Sequence, residues 1–391
     1  MRRLFARGPH ASLVGAAAVG VVVLSGSAGS PVESPAATTT DSSLCQQDAR
    51  ALTAVGAKIS SAITAEFASS YTDQFQDFRA LLVSVCGKPV LQRYDKTTAK
   101  ASHHVASVTK SVVSTLVGIA IAGGLIKDVN QTLSQLLPEH AADMAPAVAS
   151  ITLRQLLTMS AGLDVDGPNS SLGPWVESTN WVREILRGGS KGRGEFGYSS
   201  ATSHVIAAIL VHATGRPLLD YARERLFDPL GIETRPAAQP LPVPASAAEY
   251  DKAGFAWGVD HQGVNFGGGL LKLRPADMLK LGQLYLDGGK VDGRQIVPAQ
   301  WVHDATSAQV TTNSGFGGAD YGYQWWVTTA GADPAFSAVG FGGQLIEVVP
   351  RRRLVVVFST ELTSDPNQVV RADARAYEEM VGRLIAPRIT P

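Results

Sequence analysis

The sequence predicts an α+β fold: an antiparallel sheet flanked by N- and C-terminal helices, with an inserted helical subdomain. Strand-like runs occur at both ends of the chain and helical patterns fill the middle, an order that favours a sheet assembled from distant segments. With 391 residues, 45% of them hydrophobic, the chain can bury a large core. We expect the folded domain over residues 46–386, with an α/β part at about 79–106 and 253–386 and a helical part at about 107–252.

The N-terminal elements of this fold are a weak helix, a hairpin and a long buried helix. Residues 46–78 have a weak helical pattern, and residues 80–85 and 89–94 flank Gly87 as two strands of a hairpin do. Residues 107–126 form a long apolar run without a polar stripe in its second half, so we expect a helix buried on most sides.

The remaining elements follow from periodicity and from helix start and stop signals. Helices are expected at residues 151–159, 203–213, 217–226, 275–287 and 371–385, and strands at residues 323–328, 335–339, 344–349 and 354–358. The polar, glycine-rich residues 164–197 predict a long loop that forms a wall or lid of a site.

The first residues have the pattern of an export signal. Three arginines precede an apolar run at residues 11–24, and small residues follow, so residues 1–28 predict a signal peptide cleaved after Ala28. Retention as an uncleaved anchor is the alternative. Residues 29–45 are rich in Pro, Ser, Thr and Ala and predict a flexible tether. The expected location is therefore secreted or cell-envelope.

Cys45 and Cys86 are the two cysteines of the chain. In an exported protein, two cysteines most simply form one disulfide, here between the N-terminal segment and the first strand region. A buried thiol at Cys86 with an exposed one at Cys45 is the alternative, and lipid attachment at Cys45 has little support from its surroundings.

Charge and motif content exclude several classes of function. The 34 basic and 34 acidic residues cancel, so the chain lacks the electrostatic signature of a nucleic-acid or anionic-lipid binder. No phosphate-binding loop or dinucleotide fingerprint is present, and His103 and His104 have no third ligand spaced for a metal. The G-x-S-x-G match at residues 188–192 lies in a polar run without a preceding strand and predicts a loop. We expect no metal and no cofactor.

Ser107 and Lys110 form an S-x-x-K motif at the start of the long apolar helix. Positions three apart share a helix face, so the Lys amine can reach the Ser hydroxyl and act as its base, provided that its pKa is lowered by burial or by nearby positive charge. The alternative is a surface Ser and Lys at a helix start. The apolar helix favours the catalytic interpretation, because a Lys in a buried first turn is costly unless used.

Two further motifs supply groups that such a site needs. Tyr198 can relay a proton to a leaving group, and Ser200 can hydrogen-bond substrate; alternatively, Tyr198 packs beneath a helix start that Ser200 or Thr202 caps. The turn at residues 340–344 precedes an apolar strand, and its glycines allow close approach of substrate to backbone N–H groups. It can also be an ordinary turn between strands.

Taken in order, about 90 and then about 140 residues apart, these motifs resemble those of the serine β-lactamase and penicillin-binding-protein superfamily. Within it, the chain is similar to the class C-related branch of esterases, D-amino-peptidases and 6-aminohexanoate-dimer hydrolases. The resemblance runs from about residue 79 to 385 and includes ITLRQLLTMSAGL at 151–163 and GGGLLKLRPADMLKLGQLYLDGG at 267–289. It implies a β-lactamase/transpeptidase-like fold.

The resemblance implies a role for each motif residue. Ser107 becomes the acylated nucleophile, Lys110 its general base, and Tyr198 the Tyr of the family's Tyr-x-Asn. Ser200 then takes the place of Asn. The third motif, usually Lys-Thr-Gly or His-x-Gly, is filled by Phe341, Gly342 and Gly343 at the substrate, and the N–H groups of Gln344 and Ser107 would form the oxyanion hole.

These departures from the family pattern shift the expected substrate. Phe341 stands where a Lys or His would pair with the carboxylate of a β-lactam or a D-alanyl peptide, so uncharged esters or amide oligomers are favoured. We therefore expect a serine esterase or amidase acting on a small molecule. A cell-wall D,D-carboxypeptidase or β-lactamase is the first alternative, and a non-catalytic binding protein the second.

Overall fold

The structure is a computed structural model. It describes residues 45–46, 48–69, 75–163, 165, 173–241, 246–312, 320–363 and 368–390. The predicted signal peptide, most of the tether and part of the expected wall at 164–197 lie outside the described residues.

Twelve helices and twelve strands are used below. The helices are α1 (Ala49–Phe67), α2 (Val108–Ala122), α3 (Leu133–Leu136), α4 (Pro146–Ala149), α5 (Leu153–Leu157), α6 (Trp181–Arg187), α7 (Ser200–Thr214), α8 (Leu218–Ala222), α9 (Ala247–Lys252), α10 (Pro275–Leu286), α11 (Ala299–Ala305) and α12 (Ala374–Met380). The strands are β1 (Phe78–Val85), β2 (Lys88–Tyr94), β3 (His103–His104), β4 (Lys272–Leu273), β5 (Lys290–Val291), β6 (Arg294–Gln295), β7 (Val310–Thr311), β8 (Asp320–Tyr321), β9 (Trp326–Ala330), β10 (Asp333–Gly340), β11 (Gln344–Val349) and β12 (Leu354–Thr360).

Eight strands form one antiparallel sheet in the order β2-β1-β12-β11-β10-β9-β8-β7. The N-terminal hairpin thus joins the C-terminal strands, as the placement of strands at both chain ends predicts. The α+β fold with an antiparallel sheet, terminal helices and a helical insertion is confirmed.

Helices cover both faces of this sheet. Alternate residues of β12 point to opposite sides: Val355 and Val357 belong to the core shared with the central helices, whereas Val356 and Phe358 belong to the core shared with α1 and α12. Helix α10 lies close on the sheet, since a Cβ at Gly282 would lie 2.5 Å from Val355 Cγ1. The site described below lies on this central-helix side.

Helix α2 is buried along almost its whole length, as its apolar sequence predicts; residues 108–120 are buried. Gly118 permits this packing because a Cβ there would lie 2.4 Å from the Trp301 ring. No helix among the described residues is long and apolar enough to cross a membrane.

Several predicted boundaries are wrong for identifiable reasons. The strand expected at 323–328 begins only at Trp326, because Gln324 has φ +62° in the left-handed region. The helix expected at 151–159 ends by Leu157, and Met159 has φ +57°. Helix α7 begins earlier than expected, and its N-cap is Ser199, whose hydroxyl accepts from the Thr202 N–H, rather than Ser200 or Thr202.

Cys45 and Cys86 are joined by a disulfide with their Cα atoms 5.5 Å apart. Cys86 stands in the turn between β1 and β2, so the bond attaches the start of the described chain to this hairpin. Lys88 Nζ also donates to the Cys45 carbonyl at 2.9 Å.

Candidate active site

Ser107 stands at the N-cap position of α2, at the point where the chain leaves the sheet side and enters the buried helix. The preceding residue, Ala106, has φ +46°, a left-handed conformation that turns the chain sharply there. Val105 N–H donates to the Leu271 carbonyl at 2.9 Å and ties this turn to the β3–β4 ribbon. The result is a half-buried Ser107 at a helix N-terminus, where the helix dipole favours negative charge.

Lys110 lies one turn further along α2 and is 1% exposed. Its Nζ lies 3.0 Å from Ser107 Oγ, 3.1 Å from Ser200 Oγ and 2.9 Å from the Gly268 carbonyl oxygen. The spacing of three in the sequence therefore brings amine and hydroxyl together as predicted. Burial without partners would be costly for an amine, and these acceptors offset that cost.

Tyr198 covers the Lys110 amine, which lies 4.9 Å from the centre of its ring. Burial raises the pKa of Tyr198 to about 12, although a hydrogen bond with the Ser107 side chain opposes the shift. Trp326 stacks on Tyr198 with ring centres 5.7 Å apart, and Tyr321 meets it edge-on at 6.4 Å. At neutral pH, Tyr198 is thus a protonated hydroxyl held beside Ser107.

Ser200 is buried in the first turn of α7 and faces Lys110 rather than solvent. The glycines that follow Phe266 allow the chain to cross this helix closely. A Cβ at Gly267 would lie 2.1 Å from the Ser203 carbonyl oxygen, and one at Gly268 would lie 2.8 Å from Ser200 Cβ. This close crossing delivers the Gly268 carbonyl to Lys110.

The third predicted motif is the turn between β10 and β11, closed by the pairing of Gly340 with Gln344. Gly340 lies against residues 105–107, called the Ser107 loop below: a Cβ at Gly340 would lie 2.4 Å from the Val105 carbonyl oxygen. Phe341 is 45% exposed at this turn, and Gly342 and Gly343 both have positive φ.

Gln344 is fully buried on β11, and its side-chain amide donates to the carbonyl and the hydroxyl of Thr360 at 3.0 and 2.8 Å. Its side chain therefore braces β12. The oxyanion role expected for the Gln344 and Ser107 N–H groups stays a prediction.

Two buried histidines, His104 and His204, have partners outside this cluster. His204 is paired with Asp260 at 3.1 Å among Trp175, Trp181 and Phe266. Burial and the nearby Lys272 charge lower the pKa of His104 to about 4, and its ring nitrogen accepts from the Leu270 N–H.

The G-x-S-x-G match at 188–192 lies in the connection between α6 and α7, as expected for a loop. Within the described part of the chain, no group of three or more His, Cys, Asp or Glu side chains could hold a metal ion.

Sequence reasoning missed two groups that contact this cluster. The Gly268 carbonyl is one, and the run of three glycines at 267–269 was its only signal. Gln324 is the other: it hydrogen-bonds the residue that follows Lys110 and the helix that carries Ser200. Its sequence context suggested only a strand.

Comparison with known proteins connects this geometry to a family. The sequence profile described as Beta-lactamase matches residues 75–379. The 6-aminohexanoate-dimer hydrolase of Paenarthrobacter ureafaciens is 27% identical over 290 residues, which cover 69% of this chain and 68% of that protein.

Two solved structures show the same fold. A family VIII carboxylesterase superposes with a TM-score of 0.62 at 17% identity, covering 85% of this chain and 97% of that one. A penicillin-binding protein homologue from Caulobacter crescentus gives a TM-score of 0.58 at 16% identity, with 84% and 97% covered. Since the family profile spans well over half of the chain, the protein belongs to the Beta-lactamase family and is a serine hydrolase of that superfamily.

Proposed function

We propose that this protein cleaves carboxylic ester or amide bonds through an acyl-enzyme on Ser107, with Lys110 as the general base. The observation that carries the proposal is the 3.0 Å separation between the buried Lys110 Nζ and Ser107 Oγ. A Ser hydroxyl is a weak nucleophile unless a base within hydrogen-bond distance takes its proton.

The contacts of Ser107 with both Lys110 and Tyr198 support the following path for the proton. As Ser107 Oγ bonds to the substrate carbonyl carbon, its proton passes to the neutral Lys110 amine. The bond to the leaving oxygen or nitrogen then breaks, and that atom takes a proton from the Tyr198 hydroxyl, which Lys110 restores. Tyr198 suits this role because burial raises its pKa to about 12, so it enters the cycle protonated. Water attacks the acyl-enzyme in the second half, and the same groups return the proton to Ser107.

The negative oxygen of the tetrahedral intermediate needs N–H donors. Ser107 at the N-terminus of α2 offers one, and the turn that begins at Gly340 beside the Ser107 loop offers the second, which we assign to Gln344. Phe341, exposed on that turn, puts an apolar side chain at the position where the family's third motif usually has a cation. We therefore propose uncharged esters or amide oligomers as substrates, in line with the activity named for the Paenarthrobacter relative.

Covalent labelling tests the nucleophile directly. A fluorophosphonate probe should label the protein, and mass mapping should find the adduct on Ser107. Ser107→Ala should lose both labelling and hydrolysis of p-nitrophenyl butyrate. As a matched control, Ser114→Ala removes another α2 hydroxyl, one that is buried and has no hydrogen-bond partner among the described residues. This variant should label normally. Normal turnover by Ser107→Ala would end the proposal.

A β-lactamase or D,D-peptidase activity is the competing assignment, and the structural likeness to a penicillin-binding protein homologue keeps it worth measuring. Hydrolysis of nitrocefin faster than of p-nitrophenyl butyrate would favour it. If Phe341 sets the preference, Phe341→Lys should raise nitrocefin turnover relative to the ester.

We further propose that the protein is exported. The disulfide between Cys45 and Cys86 supports this, because such bonds persist in oxidising compartments. N-terminal sequencing of protein recovered from the envelope and the medium should begin at Gly29. Recovery from the cytoplasm with an intact Met1 would contradict it.

A further inference from the structure

Gln324 is a buried residue that joins three helices beneath the candidate site. It is 2% exposed, lies just before β9, and holds a left-handed backbone with φ +62°. Such a backbone is unfavourable for a side chain with a Cβ. A buried, strained Gln therefore calls for a compensating set of contacts.

Its backbone and side chain both hydrogen-bond helices that carry site residues. The Gln324 carbonyl accepts from Ser111 Oγ at 2.7 Å, and Ser111 directly follows Lys110 on α2. The Gln324 side-chain carbonyl accepts from Ser203 Oγ at 2.7 Å, and Ser203 lies one turn after Ser200 on α7. One residue thus ties together the two helices that present the Lys amine and its Ser partner.

A third set of bonds fixes the side chain itself. The Gln324 amide nitrogen donates to the carbonyls of Leu156 and Leu157 at 3.2 and 2.9 Å, and its backbone N–H donates to Leu157 at 3.0 Å. With both amide protons placed at the end of α5, the oxygen can only face Ser203. Two residues further on, Trp326 stacks on Tyr198.

We infer that Gln324 is a positioning residue for the reaction: it sets the separation of α2 and α7, and so the geometry of Ser107, Lys110 and Ser200. The inference rests on the proposed function, because it acts through Lys110. A shift of about 1 Å between reacting groups can reduce a rate by about a hundredfold, whereas each lost neutral hydrogen bond costs stability only modestly. Removing the hydrogen bonds of Gln324 should therefore lower kcat more than it lowers the stability of the fold.

The experiment compares Ser111→Ala, Ser203→Ala and the double variant with Ser114→Ala. Ser114 is buried on the same helix, but within the described part of the chain its hydroxyl has no hydrogen-bond partner, so Ser114→Ala controls for loss of a buried hydroxyl. Gln324→Met is the direct variant, and the serine variants keep the test decisive if Gln324→Met does not fold. Hydrolysis of p-nitrophenyl butyrate is measured as kcat, KM and a pH–rate profile.

The double variant should lose about tenfold or more in kcat with KM little changed, and its pH–rate profile should be displaced. Ser114→Ala should match the wild type. Unchanged kcat and pH profile in the double variant, with lowered thermal stability alone, would overturn the inference. Lys110→Ala separates the two hypotheses. If Lys110→Ala and the double variant both retain full activity, the proposed function fails. If Lys110→Ala loses activity and the double variant does not, only the positioning role of Gln324 fails.

Discussion

Two carboxyl groups, on the face of the sheet that α1 and α12 cover, should make the stability of the protein depend on pH. Glu347 on β11 is fully buried, and neither of its carboxylate oxygens has a hydrogen-bond partner in the portion of the chain that the structure describes. Burial raises its pKa, and the neighbouring Glu378 on α12 raises it further. Burial likewise raises the pKa of Glu378 to about 8, against a hydrogen bond from Ser337 that opposes the shift.

The direction in which stability changes with pH depends on whether the folded or the unfolded chain binds more protons. Between the ordinary Glu value of 4.5 and about 8, folded Glu378 holds a proton that the unfolded chain has released. Its contribution to stability is therefore complete below pH 4.5 and is lost as pH rises toward 8. One proton corresponds to about 1.4 kcal/mol per pH unit, or about 4 kcal/mol between pH 5 and pH 8.

Glu378→Gln tests this value, since an amide cannot ionise. Urea unfolding at pH 5 and pH 8 should show the variant gaining about 4 kcal/mol relative to wild type between the two pH values. Glu379→Gln is the matched control, because Glu379 is the next residue on α12 and is exposed; it should follow the wild type. If the difference in free energy of unfolding between wild type and Glu378→Gln is constant from pH 5 to 8, Glu378 does not have the raised pKa.

Three further predictions concern the site and the helix entry. Lys110→Ala should slow acylation by p-nitrophenyl butyrate at least tenfold more than Ser200→Ala, since loss of a general base costs about 10²–10⁴-fold; equal rates in stopped-flow assays would contradict the assignment. Gly340→Ala should impair acylation because its Cβ would lie 2.4 Å from the Val105 carbonyl, whereas Gly197→Ala has open space and should not; similar losses in both would remove this explanation. Burial lowers the pKa of His104 from 6.5 to about 4 in the folded protein, so the free energy of unfolding should fall by about 3 kcal/mol as the pH drops from 6.5 toward 4. In urea titrations, His104→Gln should reduce this loss of stability at acid pH. An unchanged loss in the variant would refute the prediction.

The sequence predicts this fold well where the pattern of apolar residues within one continuous segment determines its structure. The mainly apolar run after Ser107 is too long for one strand and predicts a buried helix, and β11 and β12 are mostly apolar because both faces of the sheet are covered. The Ser107–Lys110 contact is likewise local, set by the geometry of one helical turn. Prediction fails at residues 323–325, because the left-handed Gln324 depends on partners in three distant helices.

The groups that complete the site are hidden from sequence reasoning for a related reason. The Gly268 carbonyl is a backbone atom, so no residue type marks it, and its approach to Lys110 depends on a crossing over α7 that only Gly267 and Gly268 allow. The approach of Tyr198 and of the Gly340 turn to Ser107 follows from the family resemblance rather than from spacing. Contacts between distant segments are set by packing, which pattern and propensity do not encode.

In the proposed mechanism, the acceptors around Lys110 would direct its amine toward Ser107 as the base. A protonated Lys has three N–H donors, and Ser107, Ser200 and Gly268 offer three acceptors at 3.0, 3.1 and 2.9 Å. The neutral amine has two N–H groups and one lone pair. If those two N–H groups stay with Ser200 and Gly268, the lone pair must point at Ser107, whose hydroxyl then donates to it. On this proposal Ser200 and Gly268 orient the Lys110 lone pair. Loss of Ser200 should then leave the base poorly aligned, whereas loss of Lys110 should remove it.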